Sequence, residues 1–113
     1  MPVPEGFEPL DIAARLGRDA ADFLTHSGPI YVREDADMPQ LGFEVLPHMC
    51  NPAGVCHGGM MMTVLDTGLA FILHAALKQR VFSPSISFNF DFLAPAQTGQ
   101  WLETSGTCTK NTK

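Results

Sequence analysis

Residues 51–68 read Asn51-Pro-Ala-Gly-Val-Cys-His57-Gly58-Gly59-Met-Met-Met-Thr-Val-Leu-Asp66-Thr67-Gly68, and they are the most informative part of the sequence. It places a polar, glycine-rich turn in front of an apolar segment that contains one carboxylate. Two glycines after a histidine let the backbone bend sharply and leave unpaired N–H groups at a helix start. The free amides and the helix dipole both favour a negative charge there. The stretch therefore predicts a helix whose N-terminus can hold an anionic group.

Asp66 is the second informative feature of this stretch. Its neighbours Val64, Leu65 and Leu69 are apolar, so the pattern predicts a buried carboxylate. Such a group is costly without a partner. Asp66 is therefore either a structural residue, hydrogen-bonded to a nearby threonine, or a functional one. A carboxylate that follows an anion-stabilising helix start is typical of acyl transfer or hydrolysis.

Outward from this stretch, the hydrophobic pattern predicts an α+β fold. Residues 58–77 are apolar on nearly every side, which is typical of a long helix wrapped by other elements. Residues 85–92 alternate apolar and polar side chains with a period of two, which predicts a strand whose aromatic face covers that helix. Shorter strands are predicted at 30–32, 41–46 and 100–109. Residues 9–25 have apolar side chains at helical spacing and predict an amphipathic helix.

Composition indicates one globular domain over residues 1–113, with residues 1–28 as an N-terminal helical extension. The net charge of −5 argues against a nucleic-acid partner. The N-terminus lacks the basic start and apolar run of a secretory signal. Asp66 interrupts the apolar helix and argues against a membrane span. The three cysteines have no Cys-x-x-Cys spacing, which favours reduced thiols and a cytoplasmic location.

The motif order resembles that of the hotdog-fold acyl-CoA thioesterases, in the branch typified by the phenylacetate-degradation thioesterases. That family has an asparagine, then His-Gly-Gly six residues later, then an aspartate nine residues after the histidine. Here these positions are Asn51, His57-Gly58-Gly59 and Asp66, and Phe92-Leu93-Ala94-Pro95 matches a later aromatic-x-x-proline ending. The resemblance covers roughly residues 41–110. It implies a hotdog fold, an antiparallel sheet curled around one long central helix. The sequence departs from the family where it stops at Lys113, because relatives usually continue with further strands, so we expect the C-terminal strands to be missing or shortened.

The resemblance also implies roles for individual residues. Asp66 would be the general base or nucleophile, and the Gly58 amide would hold the thioester carbonyl in an oxyanion hole. Asn51 would have a polar catalytic role, and His57 would stabilise the loop or position the substrate. The remaining candidates would contact substrate: Gly59, Met60 and Ser85. No cofactor and no metal are implied.

Three functions follow from these patterns. The first is an acyl-CoA thioesterase that releases a carboxylic acid and free coenzyme A. The second is a non-catalytic acyl-CoA-binding or regulatory module on the same fold, although Asp66 and Asn51 favour catalysis. The third is a small metal-binding protein, but the spacing of Cys50 and Cys56 and the adjacent histidines fits none of the usual zinc patterns. The acyl group and its carrier, coenzyme A or a carrier protein, stay open.

The spacing of the two main candidates predicts an oligomer. Gly58 and Asp66 are eight residues apart, which is about 12 Å along one helix. A carbonyl carbon and its attacking oxygen must approach to about 3–3.5 Å. Two antiparallel helices related by a two-fold axis would bring Gly58 of one subunit to Asp66 of the other. We therefore expect a homodimer or homotetramer with active sites at the subunit interface, as the resemblance also implies.

Overall fold

The computed structural model describes residues 2–17, 22–35, 37–78 and 89–109. Two short strands and two short helices come first, and a single long helix dominates the second half of the chain. The elements in chain order are β1 (Glu8–Pro9), α1 (Ile12–Leu16), α2 (Asp22–Ser27), β2 (Tyr31–Arg33), β3 (Gln40–Glu44), a 3-10 turn (Pro47–Met49), α3 (Gly58–Leu77) and β4 (Trp101–Glu103).

The four strands form one antiparallel sheet in the order β1-β2-β3-β4. The first three strands are neighbours in sequence, whereas β3 pairs with β4 across the whole of α3. In that pair Gly42 lies opposite Glu103, and Phe43 lies opposite Leu102. The pairing continues past β4, since the Thr104 amide donates to the carbonyl oxygen of Leu41 at 2.8 Å.

The core lies between α3 and the inner face of the sheet. Residues of α3 at four-residue spacing are buried there: Met60, Val64, Gly68 and Ile72. Met60 and Val64 belong to one core cluster with side chains from β3 and the residue after it, namely Leu41, Phe43 and Val45. Burying each large apolar side chain contributes about 1.5–3 kcal/mol. At Gly68 the helix comes so close to the sheet that a Cβ atom there would lie 3.3 Å from Oγ1 of Thr104.

The outer face of the sheet has an aromatic cluster. The ring of Trp101 meets Phe7 edge to face with centroids 5.1 Å apart, and meets Tyr31 at 5.6 Å. The guanidinium of Arg33 lies 4.6 Å from the centre of the Phe7 ring, a distance at which cation–π attraction acts. Gly42 makes room for the indole, because a Cβ atom at position 42 would lie 2.4 Å from Cζ2 of Trp101.

The α+β class and the long helix over residues 58–77 are confirmed. The predicted strands at 30–32, 41–46 and 100–109 exist as β2, β3 and the shorter β4. The predicted helix over 9–25 is wrong. Gly17 ends α1 with a left-handed backbone, φ +70°, a conformation that glycine adopts without strain. The N-terminal extension is also not purely helical, because β1 pairs with β2 at the sheet edge.

The sheet covers one face of α3, whereas the expected covering of its other face is incomplete in the single chain. Three large side chains on its other face are exposed in the single chain: Met62 at 39%, Leu65 at 36% and Leu69 at 46%. The predicted strand 85–92 lies mostly outside the described residues, and residues 89–92 are not in a strand. Within the described part of the chain, α3 alone is long and apolar enough to cross a membrane, a property that core helices of soluble proteins share.

A glycine-to-alanine change at position 42 tests the outer cluster. The added Cβ atom would overlap the Trp101 ring, so Gly42→Ala should lower the free energy of unfolding by about 1–3 kcal/mol in urea denaturation. In a Trp101→Leu background the same change should cost clearly less, because the overlapping ring is gone. Equal losses in both backgrounds would contradict this packing.

Candidate active site

The loop before α3 is held at both ends by backbone hydrogen bonds. The His57 amide donates to the carbonyl oxygen of Met49 at 2.8 Å, and the Asn51 amide donates to that of Val55 at 2.9 Å. The Cys56 amide donates to the carbonyl oxygen of Ala96 at 2.7 Å. The loop is therefore fixed between the 3-10 turn and the segment before β4, so the start of α3 has a defined position.

Asn51 shapes this loop. Its Oδ1 atom accepts from the amides of Ala53 at 3.0 Å and Val55 at 3.3 Å, and its main-chain carbonyl accepts from Gly54 at 2.9 Å. An asparagine that bonds backbone two residues ahead forms a local turn. The side-chain carbonyl is thus engaged in the turn, and the Nδ2 group is the part of Asn51 that can donate to a ligand.

His57 caps the N-terminus of α3. Its Nδ1 atom accepts from the Gly59 amide at 2.8 Å, so the neutral imidazole has its proton on Nε2. A Cβ atom at position 59 would lie 3.0 Å from Nδ1, and glycine leaves room for this cap. His57 is exposed. The geometry gives it a loop-stabilising role and leaves Nε2–H as a donor towards solvent.

The Gly58 amide is the open donor at this helix start. The amides of Met60 and Met61 donate to the His57 carbonyl oxygen at 2.9 and 3.3 Å, and that of Gly59 donates to the His57 ring. Among the described residues no hydrogen bond uses the Gly58 amide. Three of the four donors that a helix start exposes are therefore satisfied, and the dipole of a 20-residue helix favours an anion at the fourth.

Gly58 borders an apolar groove of about 370 Å³. The Phe92 ring lies close to Gly58, because a Cβ atom at position 58 would be 3.2 Å from Cζ of that ring. The Phe92 ring is also stacked on Phe90, with centroids 6.0 Å apart. The other lining residues are Val55, Cys56, Met61, Leu93, Ala94 and Pro95. The Phe92-to-Pro95 motif therefore lies beside the Gly58 amide.

Asp66 lies on the exposed face of α3, so the expectation of a buried carboxylate is wrong for the single chain. The exposed apolar stripe Met62, Leu65 and Leu69 lies on the same face. The two threonines considered as its partners donate elsewhere: Thr63 to the Gly59 carbonyl oxygen and Thr67 to that of Thr63, both at 2.8 Å. Within one chain, Gly58 and Asp66 remain about 12 Å apart along the helix.

Two further candidates are placed differently. Met60, predicted to contact substrate, lies in the core with 8% exposure, whereas its neighbour Met61 lines the groove. The sequence has three consecutive methionines and does not indicate which of them faces the groove. That depends on which side of α3 packs against the sheet. Ser85 lies outside the described residues.

Cys56 and the histidines give no metal centre in the described ranges. No group of three or more His, Cys, Asp or Glu side chains converges among those residues. Burial, with a smaller contribution from the neighbouring Cys50, raises the pKa of the Cys56 thiol. This thiol is therefore protonated near neutral pH.

The sequence is similar to that of known proteins. Residues 53–113 match the family model of the thioesterase superfamily. The chain belongs to the thioesterase superfamily. A Pseudomonas aeruginosa protein named as a candidate esterase is 32% identical to this chain over 104 residues, which is 91% of the chain and 72% of that relative.

The solved structure of the Escherichia coli PaaI protein, from the phenylacetic acid degradation operon, has the same fold. It is 22% identical, with a TM-score of 0.64 over 81% of this chain. The predicted hotdog fold is confirmed. The chain spans 63% of the length of that protein, less than two thirds.

Replacing His57 tests its role as the helix cap. His57→Ala removes the acceptor for the Gly59 amide and should lower the free energy of unfolding by about 1 kcal/mol, the usual cost of a lost cap. His57→Asn keeps a short acceptor and should recover most of that loss. Chemical denaturation of the three proteins measures both effects, and equal stability of the alanine and asparagine variants would exclude capping by His57.

Proposed function

We propose that this protein is an acyl-CoA thioesterase that hydrolyses an acyl or aryl-acyl thioester to a carboxylic acid and free coenzyme A. Membership of the thioesterase superfamily supports thioester hydrolysis as the class of reaction. The observation that carries the proposal is the Gly58 amide, which heads a long helix and borders an apolar groove. A thioester carbonyl in that groove would receive a hydrogen bond that strengthens as its oxygen becomes negative.

The amide contributes through the transition state. Attack on the carbonyl carbon moves charge onto the oxygen, and a preorganised N–H stabilises that charge more than it stabilises the neutral carbonyl. Loss of one such donor costs roughly 2.7–4 kcal/mol in enzymes where it has been removed. The dipole of α3 adds to the same effect, since its positive end lies at Gly58.

The Asp66 carboxylate of a partner subunit would supply the general base or nucleophile. The helix spacing keeps it about 12 Å from the Gly58 amide of its own chain, so the proposed site is shared between two copies. The exposed stripe of Met62, Leu65 and Leu69 beside Asp66 supports this arrangement, because such side chains are more stable when a partner covers them. We propose a homodimer or homotetramer whose α3 helices lie antiparallel.

In the shared site, the Asp66 carboxylate would act in one of two ways. As general base, it takes a proton from a water molecule whose oxygen attacks the thioester carbon. As nucleophile, it attacks that carbon itself and forms an anhydride that water then hydrolyses. In both routes the thiolate of coenzyme A leaves. Covering the interface removes water from around the carboxylate and strengthens its interaction with the reacting atoms.

The groove supports an apolar acyl group. Phe92, Leu93 and Met61 are among the residues that line it, and apolar side chains dominate pockets that hold such ligands. The aromatic ring of Phe92 and the phenylacetic acid operon of the PaaI relative both favour an aryl-acyl substrate. Hydrolysis of a panel of aryl- and alkyl-CoA thioesters, followed by thiol release, tests the proposal and ranks the acyl groups.

A non-catalytic acyl-CoA-binding module is the second candidate, and the engaged Asn51 side chain is the observation that favours it. Its Oδ1 atom is bonded within the loop rather than directed to a reacting group. Such a module would bind acyl-CoA thioesters in the same groove without releasing thiol. Binding without turnover of every member of the panel would select this candidate.

Substitution of Asp66 tests catalysis. Asp66→Asn keeps the side-chain shape but cannot accept a proton, so kcat should fall by at least about 100-fold with little change in substrate binding. Asp37→Asn removes another exposed carboxylate and is the matched control, with kcat expected to stay unchanged. A well-folded Asp66→Asn protein with normal kcat would exclude both proposed roles of this carboxylate.

Substitutions at Gly58 test whether its amide is the oxyanion donor. Gly58→Pro removes the amide hydrogen, and proline suits the first helical position because His57 before it has φ −62° and ψ 136°. Gly58→Ala is the matched control, since it adds a similar Cβ atom but keeps the amide. Gly58→Pro should lose activity far more than Gly58→Ala.

Heterodimers of Gly58→Pro with Asp66→Asn chains should regain one working site out of two, because one of the two sites at their interface then has an intact amide and an intact carboxylate. Native mass spectrometry checks that heterodimers form, and the thiol-release assay measures their activity. Inactive heterodimers, or an active monomer, would overturn the shared-site model.

A further inference from the structure

Two cysteines face each other across the loop that precedes α3. Cys50 and Cys56 form an isolated antiparallel bridge, and both are free thiols. The flanking hydrogen bonds run from the His57 amide to the Met49 carbonyl and from the Asn51 amide to the Val55 carbonyl. Because these bonds lie outside the pair, Cys50 and Cys56 are a non-hydrogen-bonded pair, the closer of the two antiparallel types.

This register suits a covalent bond between the two side chains. Cα atoms of such a pair are about 4.5 Å apart, and the side chains project from the same face. Disulfides join Cα atoms roughly 4.4–6.8 Å apart, so the backbone already satisfies the requirement. Both side chains belong to one apolar group, with Cys56 in the core and Cys50 packed against it.

We propose that Cys50 and Cys56 are a thiol-oxidation site, in which a low-molecular-weight disulfide such as oxidised glutathione converts the pair into a reversible cross-strand disulfide. Closure of the bond would tie the two ends of the loop together immediately before the His57 cap. Neither thiol is a reacting group in the proposed hydrolysis, although Cys56 lines the groove beside Gly58.

The two thiols have different exposures, and this fixes the order of the steps. Cys50 is half-buried, whereas Cys56 is only 3% exposed, so the oxidant reaches Cys50 first. The Cys50 thiolate attacks one sulfur of oxidised glutathione and releases one glutathione thiolate, leaving a mixed disulfide. Cys56 then loses its proton and attacks the Cys50 sulfur, which releases the second glutathione.

Electrons and protons balance in this exchange without another reactant. The two cysteine thiols lose two electrons to form one S–S bond, and oxidised glutathione gains them to become two thiols. The two protons leave the cysteines and are taken up by the released glutathione thiolates. Burial raises the pKa of Cys56, so little of this thiol is ionised near neutral pH and the second step is slow there. The second step becomes faster as the pH rises, because only the thiolate attacks.

Peptide mapping after oxidation tests the proposal directly. The full-length protein is incubated with oxidised glutathione, quenched in acid, alkylated with iodoacetamide and digested with trypsin. Residues 34–78 contain both Cys50 and Cys56 and no internal Lys or Arg, whereas Cys108 lies on the separate peptide 81–110. We expect the 34–78 peptide to lose two hydrogen atoms and carry no alkyl group, while peptide 81–110 stays alkylated.

Variants separate the disulfide from simple adduct formation. Cys108→Ser should behave as wild type, and Cys56→Ser should stop at a glutathione adduct on Cys50. Closure should be at least about tenfold faster than any adduct formation at Cys108, because the second thiol is held in place. A persistent Cys50 adduct in the wild-type protein, or a bond to Cys108, would overturn the assignment.

Thermal unfolding gives an independent readout. The bond restricts the unfolded chain, so oxidised wild-type protein should melt several degrees above the reduced form. Dithiothreitol should reverse the shift, and Cys50→Ser should show none, which keeps the test valid if Cys56→Ser does not fold. An oxidised protein that melts at or below the temperature of the reduced form would contradict the fit of the pair to the backbone.

Discussion

The close approach of α3 to the sheet at Gly68 and Thr104 is the constraint on which the other features depend. Thr104 is buried and ties β3 to the chain after β4, because its Oγ1 atom accepts from the Leu41 amide at 3.0 Å and its amide donates back to Leu41. The same hydroxyl lies where a side chain at position 68 would have to fit. One residue thus closes the sheet and sets the depth of the helix, which fixes the phase of every side chain along α3.

The rotational position of α3 separates the residues that stabilise the fold from those with a proposed catalytic role. Met60, Val64 and Ile72 face the sheet and contribute to the core, so their replacement would act on folding. Asp66 and the exposed apolar stripe face away, and the Gly58 amide opens at the end. A helix that buries only one stripe can place the proposed catalytic carboxylate on its outer face without burying that charge in the single chain. The chemistry then depends on what covers the outer face.

Much of this could be predicted from residues 51–68, because local rules govern a helix start. The bounds of α3, the open Gly58 amide and the modest role of His57 follow from glycine, cap and dipole effects that act within a few residues. The exposure of Asp66 could not be predicted, since α3 is apolar on nearly every side and its sequence does not indicate which side packs against the sheet. The division of residues 9–25 turned on Gly17, whose left-handed backbone outweighed the helical spacing around it. The cytoplasmic location stays a prediction from the sequence.

The pairing of β3 with β4 has a consequence for how the chain reaches this fold. Strands β1 to β3 are close in sequence and can pair early, but Gly42 meets Glu103 only after the whole of α3 has been made. Contacts between residues so far apart form slowly, since a long loop must close first. During synthesis on the ribosome, β3 therefore has an open edge until β4 arrives. Such edges are templates for wrong pairing, so nascent chains of this protein are most exposed to aggregation in the interval between the emergence of α3 and that of β4.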